Sequence, residues 1–133
     1  MNRLKGIISD ISVHSNLTLV EINLKGTFFK SIVIETPATA PYLAIDSNVE
    51  VLFKETEVII GVGQEPEISL RNRLKCSIES VEKGALLSKL TLQSESGEVR
   101  SVITSNAVEQ LKLREGSEVW AMVKTNEVML SGG

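Results

Sequence analysis

The chain has very few of the residues that most often carry chemistry. Among its 133 residues there is one cysteine and one histidine. That excludes a disulfide framework and a Cys/His zinc site. It also leaves little from which to build a Ser-His or Cys-His catalytic pair. His14 lies in a Val13-His14-Ser15-Asn16 turn and reads as a solvated surface residue; no paired carboxylates recur, so the chain is not expected to be an enzyme. A surplus of positive charge is also missing. Lys plus Arg is 14 against 17 Asp plus Glu, a net charge of -3, whereas a binder of phosphate backbones is usually basic. Aromatic residues are only 4%, so the core must be built from Ile, Val and Leu. No apolar run approaches the ~20 residues of a membrane helix. Met1 to Asp10 does not read as a targeting signal. The expectation is a cytoplasmic chain, without membrane or nucleic-acid partners, whose Cys76 stays reduced.

What is present is a repeat. Asn2-Arg3-Leu4-Lys5 recurs as Asn72-Arg73-Leu74-Lys75, about 70 residues on. At the same offset Lys54-Glu55-Thr56-Glu57-Val58-Ile59 falls on Lys124-Thr125-Asn126-Glu127-Val128-Met129, and Ser47-Asn48-Val49 on Ser117-Glu118-Val119. Leu17, Ser31 and Leu43 fall on Leu87, Ser101 and Leu113. The chain thus reads as a first unit over 1–63, a linker over 64–68 and a second unit over 69–133. The junction is rich in Gly and acids and contains Pro66. A unit this small buries little core alone, so each is expected to share apolar surface with its twin, with another chain, or with both.

Within a unit the signal is strand. Leu17 to Leu24 alternates apolar and polar residues, as does its twin Leu87 to Gln93. Gly26 and Ser96-Gly97 mark hairpin turns. Phe28–Ile34, Val49–Phe53 and their twins Glu98–Thr104 and Val119–Val123 continue the pattern, and Val58–Ile60 and Val128–Leu130 are expected to close their own units. One short helix is expected in each unit. In the second, Asn106 stands at capping-box spacing from Glu109, and Glu115-Gly116 ends the helix. In the first, Thr36-Pro37 opens a span that Pro41 restricts to about one turn. The fold class is all-β with short helices: two tandem OB-like β-barrels.

The candidate chemistry lies in loops rich in hydrogen-bond donors. Ser69, Arg71 and Asn72 fall within four residues. Thr104-Ser105-Asn106 stands at a helix start and Lys124-Thr125 at a strand end. Hydroxyls, cations and free N–H groups are what an oxyanion requires. Taken singly, each of these residues is an ordinary cap or a solvated side chain; the combination points to an anion.

Several motifs of the second unit then resemble a known family. They are Ser69-x-Arg71-Asn72-x-Leu74-Lys75, Lys83-Gly84-Ala85, Val102-Ile103-Thr104, Glu109 to Leu113, Gly116 to Val119, and Val123-Lys124-x-x-x-Val128-Met129-Leu130. In this order they resemble the Mop molybdate-binding domain, also described as a TOBE-type domain. The first unit resembles a divergent copy, so the chain looks like a di-Mop protein.

The resemblance implies OB-like barrels that bind molybdate or tungstate at sites between units, often across subunits. It also implies a homo-oligomer, a trimer for stand-alone di-Mop chains. The function implied is intracellular storage, buffering or homeostasis of the oxyanion. The alternatives are a molybdate-sensing module acting on a separate protein partner and an OB-like nucleic-acid module. The resemblance assigns Ser69, Arg71, Asn72, Thr104 and Lys124 to the oxyanion. The N–H of Thr125 is expected as a second donor from the Lys124 loop, and because Ala107 stands where relatives often carry Ser, the Ser105 hydroxyl and the N–H groups of Asn106 and Ala107 are expected to substitute for that hydroxyl. No metal is ligated directly by side chains, since the metal arrives as its oxyanion. In the first unit Ile34 and Glu35 stand where the second has Thr104 and Ser105, and no Ser-x-Arg precedes Asn2. Lys54 is kept and is assigned to a shared site. The units are therefore expected to be unequal, the second competent and the first chiefly a structural partner.

Overall fold

The computed structural model describes residues 1–132. Ten strands, β1 (Asn2–His14), β2 (Leu17–Leu24), β3 (Thr27–Val33), β4 (Asn48–Phe53), β5 (Ile59–Gly61), β6 (Asn72–Lys83), β7 (Leu87–Ser94), β8 (Gly97–Thr104), β9 (Glu118–Val123) and β10 (Met129–Gly132), are joined with one helix, α1 (Ser105–Gln110). Two 3-10 turns, Glu55–Glu57 and Thr125–Glu127, precede β5 and β10. The expected all-β, OB-like class holds: two antiparallel half-barrels of five strands each, related by the repeat.

Each half-barrel is organised by one long strand. The first half of β1 pairs with β4, from Asn2↔Phe53 to Ile7↔Asn48; its second half pairs with β2, ending at His14↔Leu17. The register shifts between Ile8 and Asp10, and β6 repeats the shift between Ile78 and Ser80. A bulge of this kind bends the strand and lets one strand serve two neighbours. The β2–β3 hairpin turns on Lys25 and Gly26, at φ 54° and 97°. Two consecutive left-handed residues make the turn whose twist suits a two-residue hairpin, and glycine takes the second place without a Cβ penalty.

The closing strands are exchanged. Strand order is β10-β4-β1-β2-β3 in one sheet and β5-β9-β6-β7-β8 in the other. Met129↔Leu52 and Leu130↔Val51 bind β10 to the first repeat, and Ile59↔Met122 and Ile60↔Ala121 bind β5 to the second. The expectation that Val58–Ile60 and Val128–Leu130 close their own units is corrected here. The physical reason is edge pairing: a strand leaving β4 or β9 finds an unpaired edge on the twin sheet, and the exchange satisfies both edges at once.

The repeats share one core. Leu4, Ile8, Ile22, Leu24 and Phe29 form a continuous cluster with Leu74, Ile78, Leu90, Leu92 and Val99. The buried hydroxyls sew it across the repeat boundary. Ser31 donates to the Val128 carbonyl at 2.8 Å and Ser101 to the Val58 carbonyl at 3.0 Å. Each serine thereby anchors the segment that leads into the exchanged strand of the other repeat.

The helices differ from expectation in two ways. Residues 36–46 form hydrogen-bonded turns, without a helix, because Pro37 and Pro41 leave too few N–H donors; Ala40 N–H reaches Thr36 O and Leu43 N–H reaches Ala40 O. In the second repeat Thr104, not Asn106, is the N-cap, and its hydroxyl accepts from Ala107 N–H. Ser105 turns inward and its N–H donates to Leu86 O, so the helix starts two residues earlier. It ends at Gln110, well before Gly116, where Lys112 takes φ 54°.

Candidate functional site

The donors predicted from sequence fall into separate places. Arg71 and Lys124 flank the terminal pair Asn72↔Val123 of the β6–β9 ladder. Both are exposed, and neither is in an ion pair among the described residues. Ser69 precedes them on an exposed stretch, and Thr125 opens the 3-10 turn behind Lys124. This cluster has the chemistry of an anion cradle: two cations, two hydroxyls, and backbone N–H groups where the ladder stops. A groove of about 330 Å³ beside it is lined by Glu65, Pro66, Glu67, Arg71, Arg73 and Trp120. The linker is fixed over this groove. Arg73 Nε donates to Leu70 O at 3.0 Å, and Trp120 Nε1 donates to Gln64 O at 2.8 Å.

Thr104 stands at the other end of β6. It pairs with Leu87, and the neighbouring Ser88 pairs with Lys83 at the last position of the β6–β7 ladder. The twelve residues of β6 thus separate Thr104 from Arg71 and Lys124. Within one chain these groups do not converge on a single ion. Lys54 lies at a third place, beyond the Asn2↔Phe53 pair of the first repeat.

Three predicted donors are engaged elsewhere. The Asn72 side chain is buried and makes a reciprocal pair with the backbone of Lys30, accepting from its N–H at 2.8 Å and donating to its carbonyl at 2.9 Å. Asn2 holds Arg100 in the same way, at 2.8 and 2.9 Å. The Ser105 hydroxyl is buried, donates to Gly84 O at 2.7 Å and meets Ser88 Oγ at 2.8 Å. The Ala107 N–H is taken by Thr104. In this structure the fold uses all three groups to satisfy its own polar atoms, with Asn72 and Ser105 in buried positions. Asn106 remains exposed.

Lys83 and Lys89, absent from the sequence assignment, line a groove of about 350 Å³ beside Thr104, together with Glu82, Gly84, Leu87, Ser88 and Val102. Lys83 pairs with Glu109, which holds that exposed carboxyl below its ordinary pKa. Only the β6–β7–β8 register brings these lysines to Thr104. Among the described residues no His, Cys, Asp or Glu cluster is arranged to ligate a metal ion, and no helix is long and apolar enough to cross a membrane.

The fold defines a tandem pair of OB-like units, with hydrogen-bond donors gathered at the ends of the long strands. Comparison with known proteins identifies the lineage. A TOBE domain is recognised over residues 68–130. Molybdenum-pterin-binding protein 3 of Clostridium pasteurianum is 36% identical over 64 residues, 47% of this chain and 94% of that protein. Molybdenum-pterin-binding protein MopB of Rhodobacter capsulatus is 30% identical over 101 residues, 70% of this chain and 37% of that protein. Among solved structures, the cytoplasmic molybdate-binding protein ModG, in a form with molybdate bound, superposes with a TM-score of 0.91 at 27% identity, over 99% of this chain and 96% of that one. The chain belongs to the Mop family of TOBE-domain proteins, in its tandem, di-Mop form.

Proposed function

We propose that this protein binds molybdate, with tungstate as the chemical near-equivalent, at sites shared between copies of a homo-oligomer, and that it stores or buffers the oxyanion in the cytoplasm. The observation that carries the reading is the pair Arg71 and Lys124, side by side at the open end of the β6–β9 ladder with no carboxylate paired to either among the described residues. The relatives' names and the molybdate-bound ModG structure support the choice of ion.

The chemistry is that of a tetrahedral dianion whose oxygens only accept hydrogen bonds. Removing it from water is costly unless most oxygens meet donors. Arg71 supplies a planar fork of N–H donors, Lys124 an ammonium, and Ser69 and Thr125 hydroxyls. Thr104 and Asn106 come to the same ion from another copy, since β6 separates them from Arg71 within one chain. Exposed Val13, Leu17, Ile32 and Ile34 at the strand ends of the first repeat, and Leu86 and Leu87 in the second, supply apolar surface for that association. A trimer brings six repeats together. Sulfate has the same charge and shape with shorter bonds, so a cage of fixed donors rejects it by leaving some unpaired.

Calorimetric titration with molybdate, tungstate and sulfate, combined with light scattering, tests the reading. Tight binding of the first two and weak binding of sulfate, on a particle of about three chain masses, is the expected result. A species of 14.5 kDa, or binding that does not distinguish sulfate from molybdate, would overturn it.

A further inference from the structure

The two repeats differ in charge at positions the fold makes equivalent. Lys54 and Lys124 each precede a 3-10 turn, with φ and ψ of -74° and 146° in one and -69° and 142° in the other. The side chain that follows therefore leaves the backbone at the same point of each ladder end. In the second repeat it is the hydroxyl of Thr125; in the first it is the carboxylate of Glu55. The other end of the long strand shows the same exchange. Glu35 stands at the position of Ser105, exposed where Ser105 is buried, and its carboxylate accepts from Tyr42 Oη at 3.1 Å. Beside it Ile34, 79% exposed, replaces the Thr104 hydroxyl.

Each donor cluster of the first repeat thus has a carboxylate in place of a hydroxyl, and at one of them Ile34 removes a second hydroxyl. The Met1 ammonium lies 3.8 Å from Glu55 Oε1, a long contact at a partly exposed side chain. A fixed negative charge beside a dianion opposes its binding, most strongly once both are shielded from water. Near Arg71, Glu65 and Glu67 line the adjoining groove, but neither pairs with it.

We propose that only one of the two pseudo-equivalent sets of sites takes the oxyanion. The end carrying Arg71, Lys124 and Thr125 is open, and Glu55 and Glu35 close the sites built from the first repeat, so that binding saturates near one ion per chain. Glu55 and Glu35 are then determinants of capacity, although neither touches bound ion in the wild-type protein. The inference rests on the reading of the site as a molybdate site.

Equilibrium dialysis of the full chain in its native oligomer, with molybdenum counted per chain, tests it. The wild-type protein is expected to hold one molybdate per chain in its tight class, with any further binding at least tenfold weaker. Glu55→Thr combined with Glu35→Ser is expected to strengthen that further binding and to raise the count toward two at molybdate concentrations above those that fill the tight class, where Met1 and Ile34, at the positions of Arg71 and Thr104, keep the added sites weaker. Glu55→Thr alone, which installs the twin's residue at a partly exposed turn, serves if the double variant does not fold, and it too should add weak binding. Two equal sites per chain in the wild-type protein would overturn the inference and leave the molybdate reading intact. A folded double variant that still binds one would show that the carboxylates are not the cause. Absence of any retained molybdate would remove the molybdate reading and this inference with it.

Discussion

Asn72 forms a closed two-bond pair with the backbone of Lys30, forty-two positions away. Lys30 lies on β3, an edge of the first sheet, and Asn72 begins β6 of the second. One amide therefore satisfies both backbone groups of an edge residue that no strand reaches. The symmetric pair, Asn2 with Arg100, does the same for β8. This gives the repeated Asn of Asn-Arg-Leu-Lys its structural reason, and it predicts a separation of roles. Asn72→Ala should lower stability by about 1–3 kcal/mol, because it strands a buried donor and acceptor. The urea midpoint should fall, while molybdate affinity of the folded fraction stays within about twofold.

Arg71 and Lys124 should behave in the opposite way. Either, replaced by Ala, removes a charge-assisted contact worth about 1.5–3 kcal/mol to a held dianion. Affinity for molybdate should fall about ten- to a hundredfold with the urea midpoint unchanged. Full affinity in Lys124→Ala would move the site elsewhere.

Ser105→Ala separates a fold contact from a ligand contact at the Thr104 end. Its hydroxyl bridges Ser88 and Gly84 in a buried position. Loss of that bridge should cost about 1–3 kcal/mol of stability. Thr104→Ala should cost about 1 kcal/mol through the lost cap, and should also weaken molybdate binding. Thermal melts paired with titration distinguish the two.

The exchange of strands makes a prediction about which sheet fails. Leu130→Pro removes an N–H and a usable φ from β10, which pairs with β4 at Val51. Amide hydrogen exchange should accelerate at β4 in the first repeat. Strand β9, which is sequence-adjacent but paired with β5 and β6, should remain protected.

Cys76 is buried, and desolvation pushes its thiol up to about 11 from an ordinary 9.0. A thiol that ionises more readily when unfolded draws the chain toward the unfolded state as pH rises. Its contribution to stability is complete below about 9 and is lost as pH climbs toward 11. The difference in urea midpoint between wild type and Cys76→Ala should therefore shift against the wild type between about pH 8 and about pH 10.5. At neutral pH the native thiol should react with iodoacetamide far more slowly than the unfolded one.

The sequence by itself determined that there are two repeats, where most strands lie, and where hydrogen-bond donors are concentrated along the chain. Alternation at Leu17–Leu24 and the constant offset between Asn2 and Asn72 are local signals, and the strands they mark are present. The pairing partners of those strands were decided only by tertiary structure. Ile59 and Met129 look alike in sequence, and nothing within a few residues of either says that its free edge lies on the other repeat. The roles of Asn72 and Ser105 were decided in the same way. A polar residue in a donor-rich string can face a ligand or a buried backbone group, and the choice depends on what the fold brings beside it. Burial and long-range register are properties of the whole chain, because the cost of an unpaired polar group is settled only once its surroundings exist.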